Sequence, residues 1–299
     1  MVSELDLAAF RTAGLVAPDA RVLSQKTHLV VYSPSAATVT RIASLADIRG
    51  REDPGDIIYA HELAWALGEY GPVLPPLQPC PRIIDDVVFS DYPYRALPRW
   101  AQVEPAQLIA VLDGFGARLA DMGGRHALRR LDVAAYAQQR LLTAERHDVH
   151  ERGLICRLRT LLSFWSDRHS FAAISSRDPA LVHGDLHAGN VVAERGDLKL
   201  LDLDSAAVGP RLYDLAAWYV RHRLGDPAPI TAAVELARCQ SYWREDDFTA
   251  LIGWKLLSSM THLARYGSPA QMAQALPALV VVAEYEELQG SWSVVVAHQ

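Results

Sequence analysis

The chain has few cysteines and no long apolar run, and these absences exclude several classes of protein. Its 299 residues include only three cysteines, Cys80, Cys156 and Cys239, and their wide spacing and odd number argue against a disulfide framework or a zinc site. No apolar stretch approaches the ~20 residues that a membrane-spanning helix needs. The acidic residues 1–6 lack the apolar core of a signal peptide. We therefore expect a cytoplasmic protein without a membrane partner.

The chain also lacks a strongly basic segment. Its formal net charge is −6 and its pI is about 6.0, so nucleic acid is not an expected partner. Hydrophobic residues make up 50% and charged residues 21% of the sequence, which is typical of a globular protein. The chain is long enough to form two lobes around a large core. Its mild acidity leaves room for a cationic substrate but fits ordinary surface charge equally well.

What the chain does contain is a polar loop between two strand-like runs. Residues 183–190 read His-Gly-Asp-Leu-His-Ala-Gly-Asn, and the second run ends at Asp202. Phosphoryl transfer from ATP needs a carboxylate that orients the attacking hydroxyl, together with amide and carboxylate oxygens that hold Mg²⁺. Asp185, Asn190 and Asp202 supply these groups. A single loop of this kind could instead cap a hairpin, since Asp and Asn both tolerate turns.

Three motifs in this part of the chain resemble those of the aminoglycoside phosphotransferase and choline kinase family, a small-molecule branch of the protein-kinase-like fold. Residues 183–190 match the family's catalytic-loop pattern, His-Gly-Asp-x-His-x-x-Asn, at every fixed position. As in the protein-kinase catalytic loop, the Asp and Asn are five positions apart (190 − 185 = 5). The apolar pair and Asp at 200–202, and the Asp-Leu-Ala at 214–216 after a Gly-Pro turn, match the family's second and third motifs in order and spacing.

This resemblance implies an α+β, bilobal, protein-kinase-like fold. The smaller lobe, residues 1–95, would contain an antiparallel sheet and one main helix. The larger lobe, residues 96–299, would be mostly helical, with the join near residues 92–100. Strand-like runs suit the sheet at 21–23, 29–32 and 38–42. Helical patterns cover 57–69, 103–145, 153–175, 211–224, 229–241, 247–266 and 270–290.

The resemblance also implies a role for each residue of the motifs. Asp185 would be the catalytic base, while Asn190 and Asp202 would bind Mg²⁺, the expected cofactor. ATP or GTP would be the co-substrate, and a small molecule with a hydroxyl group would be the acceptor. The residues expected to support the loop are His183, His187 and Asp214.

The N-terminal part departs from the family at residues expected to bind the nucleotide. The third strand carries Arg41 where the family usually has Lys, and a guanidinium pairs with phosphate in a different geometry. Glu62 matches the family's helix glutamate and would pair with Arg41. The loop at 24–28 has no glycine to bring backbone N–H groups close to phosphate, and its Lys26 would be either a phosphate contact or a solvated residue. Tyr92, near the expected hinge, is the candidate residue beside the adenine.

Acidic residues after the motifs bear on which acceptor binds. Asp204 would lie on the same face of an extended strand as Asp202, and could support the metal, contact the acceptor or face solvent. Residues 245–247, Glu-Asp-Asp, would suit a cationic acceptor unless they form the N-terminal cap of the helix that follows. Glutamates near the C-terminus would also suit a cation: Glu284, Glu286 and Glu287.

Aromatic and basic residues in the same region leave further alternatives open. Aromatic side chains could form a site for a quaternary ammonium or a sugar ring, or they could lie in the core. These residues are Trp218, Tyr219, Trp243, Trp254, Tyr285 and Trp292. Residues 221–223, Arg-His-Arg, could face either solvent or an anionic acceptor.

The leading hypothesis is a small-molecule O-kinase that phosphorylates an antibiotic, such as an aminoglycoside, and so confers resistance. The alternative acceptor is a metabolic alcohol: choline, ethanolamine, homoserine or an amino sugar. A pseudokinase that only binds a small molecule is favoured by Arg41 and the missing glycines, but the complete set of Asp185, Asn190 and Asp202 argues against it. A protein kinase is not indicated, because residues 202–204 read Asp-Leu-Asp where protein kinases have Asp-Phe-Gly.

Overall fold

The computed structural model describes residues 7–25, 28–45, 57–68, 71–122, 127–146 and 152–267, and the chain folds into two compact units. The first unit consists of Met1–Arg99, Ala120–His126 and Gly189–Ala206, and the second of Trp100–Leu119, Ala127–Ala188 and Ala207–Gln299. The hairpin after the motif loop (residues 183–190) thus groups with the N-terminal segment. The sequence analysis predicted a single boundary between residues 95 and 96, with one continuous segment in each lobe. This predicted boundary stays a prediction.

The first unit is built on a five-stranded antiparallel sheet with the strand order β1-β2-β3-β5-β4. Its strands are β1 (Arg21–Gln25), β2 (Leu29–Ser33), β3 (Thr38–Ser44), β4 (Arg82–Ile84) and β5 (Val87–Pro93), preceded by a short helix α1 (Leu7–Thr12). β3 reads Thr-Val-Thr-Arg-Ile-Ala-Ser, and its β-branched residues favour the extended chain. The predicted third strand is confirmed. Buried core residues of this sheet include Leu29, Val31, Ile42 and Phe89.

Helix α2 (Ile57–Gly68) is the main helix described in the first unit, and it matches the predicted helix. It buries its apolar residues, among them Ile57, Leu63 and Leu67. The helix packs on a 3₁₀ turn at Leu203–Ser205, where the Tyr59 hydroxyl donates to the Ala206 carbonyl at 2.9 Å. Its last residue is glycine because a Cβ at Gly68 would lie 2.3 Å from the Cβ of Pro75.

A β-hairpin of β7 (Val191–Glu194) and β8 (Asp197–Leu200) also belongs to the first unit. Arg195 and Gly196 form its two-residue turn with φ values of +54° and +93°, which is the type I′ geometry that suits the twist of paired strands. The Leu200 N–H donates to the Pro72 carbonyl at 2.7 Å, and the Leu74 N–H donates to the Leu200 carbonyl at 3.0 Å. These bonds hold the end of β8 in place.

The second unit is mainly helical. The helices that follow the sheet are α3 (Pro105–Met122), α4 (Val133–Arg146), α5 (Arg152–Arg168), α6 (Phe171–Arg177), α7 (Tyr213–Arg223), α8 (Ile230–Ala237) and α9 (Glu245–Tyr266). Helix α9 packs against α4, α5 and α7, and the indole rings of Trp218 and Trp254 are fully buried. Two short strands, β6 (Pro179–Val182) and β9 (Ala207–Pro210), pair antiparallel. In sequence they lie before and after the segment that contains the motif loop and the β7–β8 hairpin.

Most of the predicted helices are confirmed, with changes at their ends. The segments 103–145 and 153–175 each form two helices, because turns interrupt the apolar periodicity near residues 127–132 and 169–170. The helix predicted at 270–290 lies outside the described residues. Among the helices that the structure describes, none is long and apolar enough to cross a lipid bilayer.

Candidate active site

Asn190 and Asp202 lie close together at the open end of the β7–β8 hairpin. Val191 pairs with Leu200, and the Leu201 N–H donates to the Asn190 carbonyl at 2.9 Å, so the pairing continues one residue beyond the strands. The Asn190 side chain is buried, whereas that of Asp202 is 45% exposed. Amide and carboxylate oxygens are the donors that Mg²⁺ prefers. The donor set at this end of the hairpin therefore fits a magnesium ion.

The backbone turns sharply at Asp202. β8 ends at Leu200, and Asp202 has a φ of +60°, in the left-handed region that Asp tolerates better than most residues. The chain then enters the 3₁₀ turn at Leu203–Ser205. The prediction that Asp202 and Asp204 share one face of an extended strand is therefore wrong, since no strand reaches either residue.

Arg41 connects the sheet to this turn through two carboxylates. Its guanidinium donates to both oxygens of Asp204, at 2.9 Å to Oδ1 and 2.7 Å to Oδ2, and its Nη2 lies 3.1 Å from Oδ1 of Asp202. The buried His28 on the neighbouring strand end adds a third bond, with Nε2 2.8 Å from Oδ2 of Asp204. Because a carboxylate only accepts hydrogen bonds, Nε2 of His28 carries the proton.

Burial and charge act in opposite directions on this ion pair. Burial alone would lower the pKa of Arg41, but the carboxylates of Asp202 and Asp204 outweigh it and raise the pKa. Burial would likewise raise the pKa of Asp204, but Arg41 and then the His28 hydrogen bond lower it. Both groups are therefore charged at neutral pH, and Arg41 is held in one orientation by a bidentate contact.

This pair replaces the partner that the sequence predicted for Arg41. Glu62 lies on the exposed side of α2, because the helix turns its apolar residues towards the sheet, and both ion pairs of Arg41 are made with Asp202 and Asp204. The predicted Arg41–Glu62 pair is wrong. The alternative in which Asp204 is a solvated turn residue is excluded as well, since its carboxylate binds a buried cation.

The other predicted nucleotide contact is a buried aromatic residue. Tyr92 pairs with Val39 across β5 and β3, its side chain is buried, and burial raises its pKa. Its ring packs edge-on against His61, whose Nδ1 lies 2.7 Å from the Ser90 hydroxyl. The place of Tyr92 beside an adenine stays a prediction. Lys26, the cation of the first loop, lies outside the described residues.

In the second unit, Asp214 braces the start of the motif loop. The amides of His183 and Gly184 donate to its two carboxylate oxygens at 2.6 Å and 2.9 Å. Asp214 lies in the first turn of α7 and is 3% exposed; burial raises its pKa, while His183 and these amides oppose the rise. Gly184 has a φ of +83°, a conformation that glycine adopts without strain, and it positions the following Asp185.

A second aspartate, which the sequence patterns did not single out, holds the other end of the loop. Oδ2 of Asp226 accepts the Ala188 N–H at 2.7 Å, and its Oδ1 accepts the Trp218 indole N–H at 3.0 Å. Asp226 follows Gly225 in the turn after α7. An Asp at a glycine turn is a common local feature, so only the fold reveals this contact with the motif loop.

The carboxylate of Asp185 lies beside two cations from different helices. Oδ1 is 3.3 Å from Nζ of Lys255 on α9 and 3.4 Å from Nη2 of Arg221 on α7. Burial would raise the pKa of Asp185, but Lys255 and then Arg221 lower it well below its usual value. Asp185 is therefore ionised at neutral pH. His187, half-buried in the same loop, has its pKa lowered by burial, which favours the neutral imidazole.

The candidate acceptor residues divide into those that the structure describes and those that it does not. Residues 245–247 form the first turn of α9 and do not cap it, since the N-cap is Arg244, and Asp247 pairs with Arg177. Trp218 and Trp254 lie in the core. The C-terminal candidates lie outside the described residues: Glu284, Glu286, Glu287, Tyr285 and Trp292.

Comparison with known sequences identifies one family. The sequence model of the phosphotransferase enzyme family, abbreviated APH, matches residues 37–250. This range begins before β3 and ends within α9, and therefore includes Arg41, the motif loop and Asp214. No curated protein matches the chain by sequence.

Solved structures of small-molecule kinases have a similar fold. The amicoumacin kinase hAmiN, in complex with AMP-PNP, Ca²⁺ and Ami, is 13% identical with a TM-score of 0.67, covering 99% of this chain and 96% of that one. The GDP and kanamycin complex of APH(2")-IIia is 14% identical with a TM-score of 0.65, covering 96% and 100%. A thermostable mutant of aminoglycoside phosphotransferase APH(4)-Ia with ADP and hygromycin B is 14% identical with a TM-score of 0.61, covering 94% and 98%. The predicted protein-kinase-like fold is confirmed.

Proposed function

Because the chain belongs to the phosphotransferase enzyme family, we propose that it moves the γ-phosphoryl group of ATP or GTP to a hydroxyl group of a small molecule. The observation that carries this proposal is an ionised carboxylate on a braced loop. Asp214 binds the loop through two backbone amides, and Lys255 and Arg221 keep the pKa of Asp185 low. A fixed carboxylate of this kind can orient an attacking hydroxyl.

Asp185 acts mainly by orientation in this proposal. A carboxylate with a lowered pKa is a weak base, so it takes little of the hydroxyl proton early in the reaction. It accepts a hydrogen bond from the acceptor hydroxyl, aligns a lone pair for attack on phosphorus, and receives the proton as the new P–O bond forms and the bond to the β-phosphate oxygen of the ADP or GDP leaving group breaks. Asp226 and Asp214 contribute by holding both ends of the loop that carries Asp185.

Asn190 and Asp202 are the proposed magnesium ligands, with Mg²⁺ as the cofactor. Asn190 lies opposite Leu201, the residue before Asp202, at the hairpin end, and a bound Mg²⁺ would neutralise charge on the phosphates. Arg41 is the proposed phosphate-binding cation, with Asp204 rather than Glu62 as the residue that orients it. Tyr92 is the proposed residue beside the adenine.

The family comparison supports an antibiotic as the acceptor class. The similar solved structures contain hygromycin B, kanamycin or Ami, and a hydroxyl-bearing antibiotic would make the chain a resistance enzyme. A metabolic alcohol is the second candidate, and the cations beside Asp185 favour it where the alcohol also carries a negative charge, as homoserine does through its carboxylate.

A coupled ADP- and GDP-release assay with Mg²⁺ and a panel of acceptors tests the proposed function. The panel includes aminoglycosides, peptide and nucleoside antibiotics, choline, ethanolamine, homoserine and amino sugars. We expect turnover with one acceptor that Asp185→Asn lowers about 100-fold or more, the usual contribution of a proton-accepting group. Asp197→Asn, which removes an exposed carboxylate from the first residue of β8, is the matched control.

Two results of this assay would count against the proposal. Turnover that Asp185→Asn leaves unchanged would remove Asp185 from the reaction. An absence of both turnover and Mg²⁺-dependent nucleotide binding, measured by calorimetry, would support the pseudokinase alternative instead.

A further inference from the structure

Two cations on separate helices converge on one oxygen of Asp185. Lys255 lies in the middle of α9 and its side chain is 7% exposed, while Arg221 lies near the end of α7 and its side chain is 44% exposed. Their nitrogens are 3.3 Å and 3.4 Å from the same Oδ1 atom. Both distances exceed the usual 2.7–2.9 Å of a charge-assisted hydrogen bond, so neither cation is closely bound to Asp185.

The ammonium group of Lys255 has unused hydrogen-bonding capacity. It carries three N–H donors, but in the part of the chain that the structure describes its only hydrogen bond is the 3.3 Å contact with Asp185. Arg221 carries five N–H donors, and within the same residues only one of them is used, at 3.4 Å. Buried polar groups are nearly always fully hydrogen-bonded. Two of the three ammonium donors of Lys255 can therefore bind a further acceptor.

Positive charge exceeds negative charge around Lys255. Burial lowers its pKa, and Arg221 and Arg140 lower it further, against the opposing effect of Asp185. Arg140 reaches the same stretch of α9 through the Ser258 hydroxyl at 3.1 Å. A second carboxylate that interacts with Lys255, that of Asp214, accepts hydrogen bonds from two backbone amides. An additional anion would thus lower the repulsion among these cations.

If Asp185 binds the acceptor hydroxyl, as the proposed function requires, the two cations lie beside the acceptor. A hydroxyl hydrogen-bonded to Asp185 lies about 3 Å from its carboxylate, and so within a few ångströms of Lys255 and Arg221. An acceptor with ammonium groups next to that hydroxyl would be repelled, whereas one with an acidic group would be bound. We propose that Lys255 and Arg221 bind an oxyanion of the acceptor, a carboxylate or a phosphate, beside the hydroxyl that is phosphorylated.

The small number of lysines allows the NMR signal of Lys255 to be followed directly. The chain has only three lysines, Lys26, Lys199 and Lys255, so protein labelled with ¹³C at the lysine side chains should give three resolvable NMR signals. We would titrate the wild-type protein with acetate and with inorganic phosphate, using chloride at the same ionic strength as the control. We expect a saturable shift of the Lys255 signal, while the signal of Lys199, whose Nζ donates to the Gly71 carbonyl at 2.8 Å, follows the chloride control.

Variants of α7 then test whether the two cations act together. Arg221→Gln removes an exposed side chain and should leave the fold intact, and we expect it to weaken acetate binding about 10- to 100-fold, the effect of losing a charge-assisted contact. Arg223→Gln removes the same charge from an exposed position at the same helix end and should leave binding unchanged. Equal loss in both variants, or none in either, would overturn the proposal.

A final titration tests whether the two cations bind an oxyanion of the acceptor or the phosphates of the nucleotide. The titration is repeated with the protein saturated with AMP-PNP and Mg²⁺, and we expect acetate to shift the Lys255 signal as before. Loss of the acetate shift under these conditions would assign the cations to the γ-phosphoryl group, and a Lys255 signal that ignores acetate and phosphate throughout would overturn the proposal outright. Because this signal needs no turnover, failure of the anion site is distinguishable from failure of the kinase function.

Discussion

The pair formed by Arg41 and Asp204 gives a quantitative test of the nucleotide-site geometry. Asp204 accepts two hydrogen bonds from Arg41 and one from His28, and the side chains of Asp204 and Arg41 are only 15% and 10% exposed. Removing one partner of a buried ion pair costs about 3–5 kcal/mol. In Asp204→Asn an acceptor oxygen remains and Asp202 still faces Arg41, so we expect a loss of about 2–3 kcal/mol in the free energy of unfolding.

Hydrogen exchange of the β3 amides, followed at increasing urea concentrations, measures this loss in the first unit. Tryptophan fluorescence is less specific, because it would mix signals from both units. Asp197→Asn is the matched control, because it removes an exposed carboxylate from the same hairpin and should change stability by no more than about 0.5 kcal/mol. A loss in Asp204→Asn as small as that of the control would refute the argument that this ion pair stabilises the unit.

The pH dependence of the stability of the same variant tests whether folding lowers the pKa of Asp204. The pKa of Asp204 is lower in the folded protein than in the unfolded chain, so its stabilising effect is fully present above the ordinary Asp pKa of about 3.9 and declines as the pH falls below it. The stability difference between wild type and Asp204→Asn should therefore be constant from pH 7 to about pH 5 and shrink in stronger acid. A difference that grows on acidification would contradict the assignment.

Three further predictions concern residues in and near the candidate active site. Glu62→Gln should leave stability within about 0.5 kcal/mol and Mg²⁺-nucleotide affinity unchanged, because the side chain is exposed; calorimetric titration checks this, and a tenfold loss of affinity would restore Glu62 as the partner of Arg41. Asp202→Asn should abolish the Mg²⁺-dependent part of nucleotide binding that Asp197→Asn retains, and equal binding by both would remove Asp202 from the metal site. Asp226→Ala should cost about 1–3 kcal/mol in the free energy of unfolding, because the buried Ala188 amide and Trp218 indole lose their acceptor; denaturation at the wild-type midpoint would exclude this bracing role.

The sequence was most informative where the relevant contacts are local. The motif loop and hairpin could be predicted because Asp185, Asn190 and Asp202 lie within one short segment, and the strand at 38–42 because β-branched residues favour extended backbone. The β3 strand and the helices follow from the same short-range periodicity. These elements could be predicted without knowing how distant segments pack.

The parts that sequence patterns did not reveal depend on distant residues. Asp204 follows Arg41 by 163 positions, and only sheet formation and the packing of α2 on the 3₁₀ turn bring them together. Lys255 is 70 positions from Asp185, and only the packing of α9 brings the two residues together. The Arg41–Glu62 pair, which the family resemblance implied, is wrong because Glu62 lies on the exposed side of α2 and Arg41 pairs with Asp202 and Asp204.

Detection of the phosphorylated product tests the central claim most directly. ³¹P NMR of a reaction with Mg²⁺, ATP or GTP and the acceptor found in the panel should show a phosphate monoester signal that appears as the γ-phosphate signal decays. Asp185→Asn should lower the rate of ester formation about 100-fold or more while it retains nucleotide binding, and Asp197→Asn should match the wild type. Inorganic phosphate as the sole product, or an ester formed equally fast by Asp185→Asn, would contradict the account.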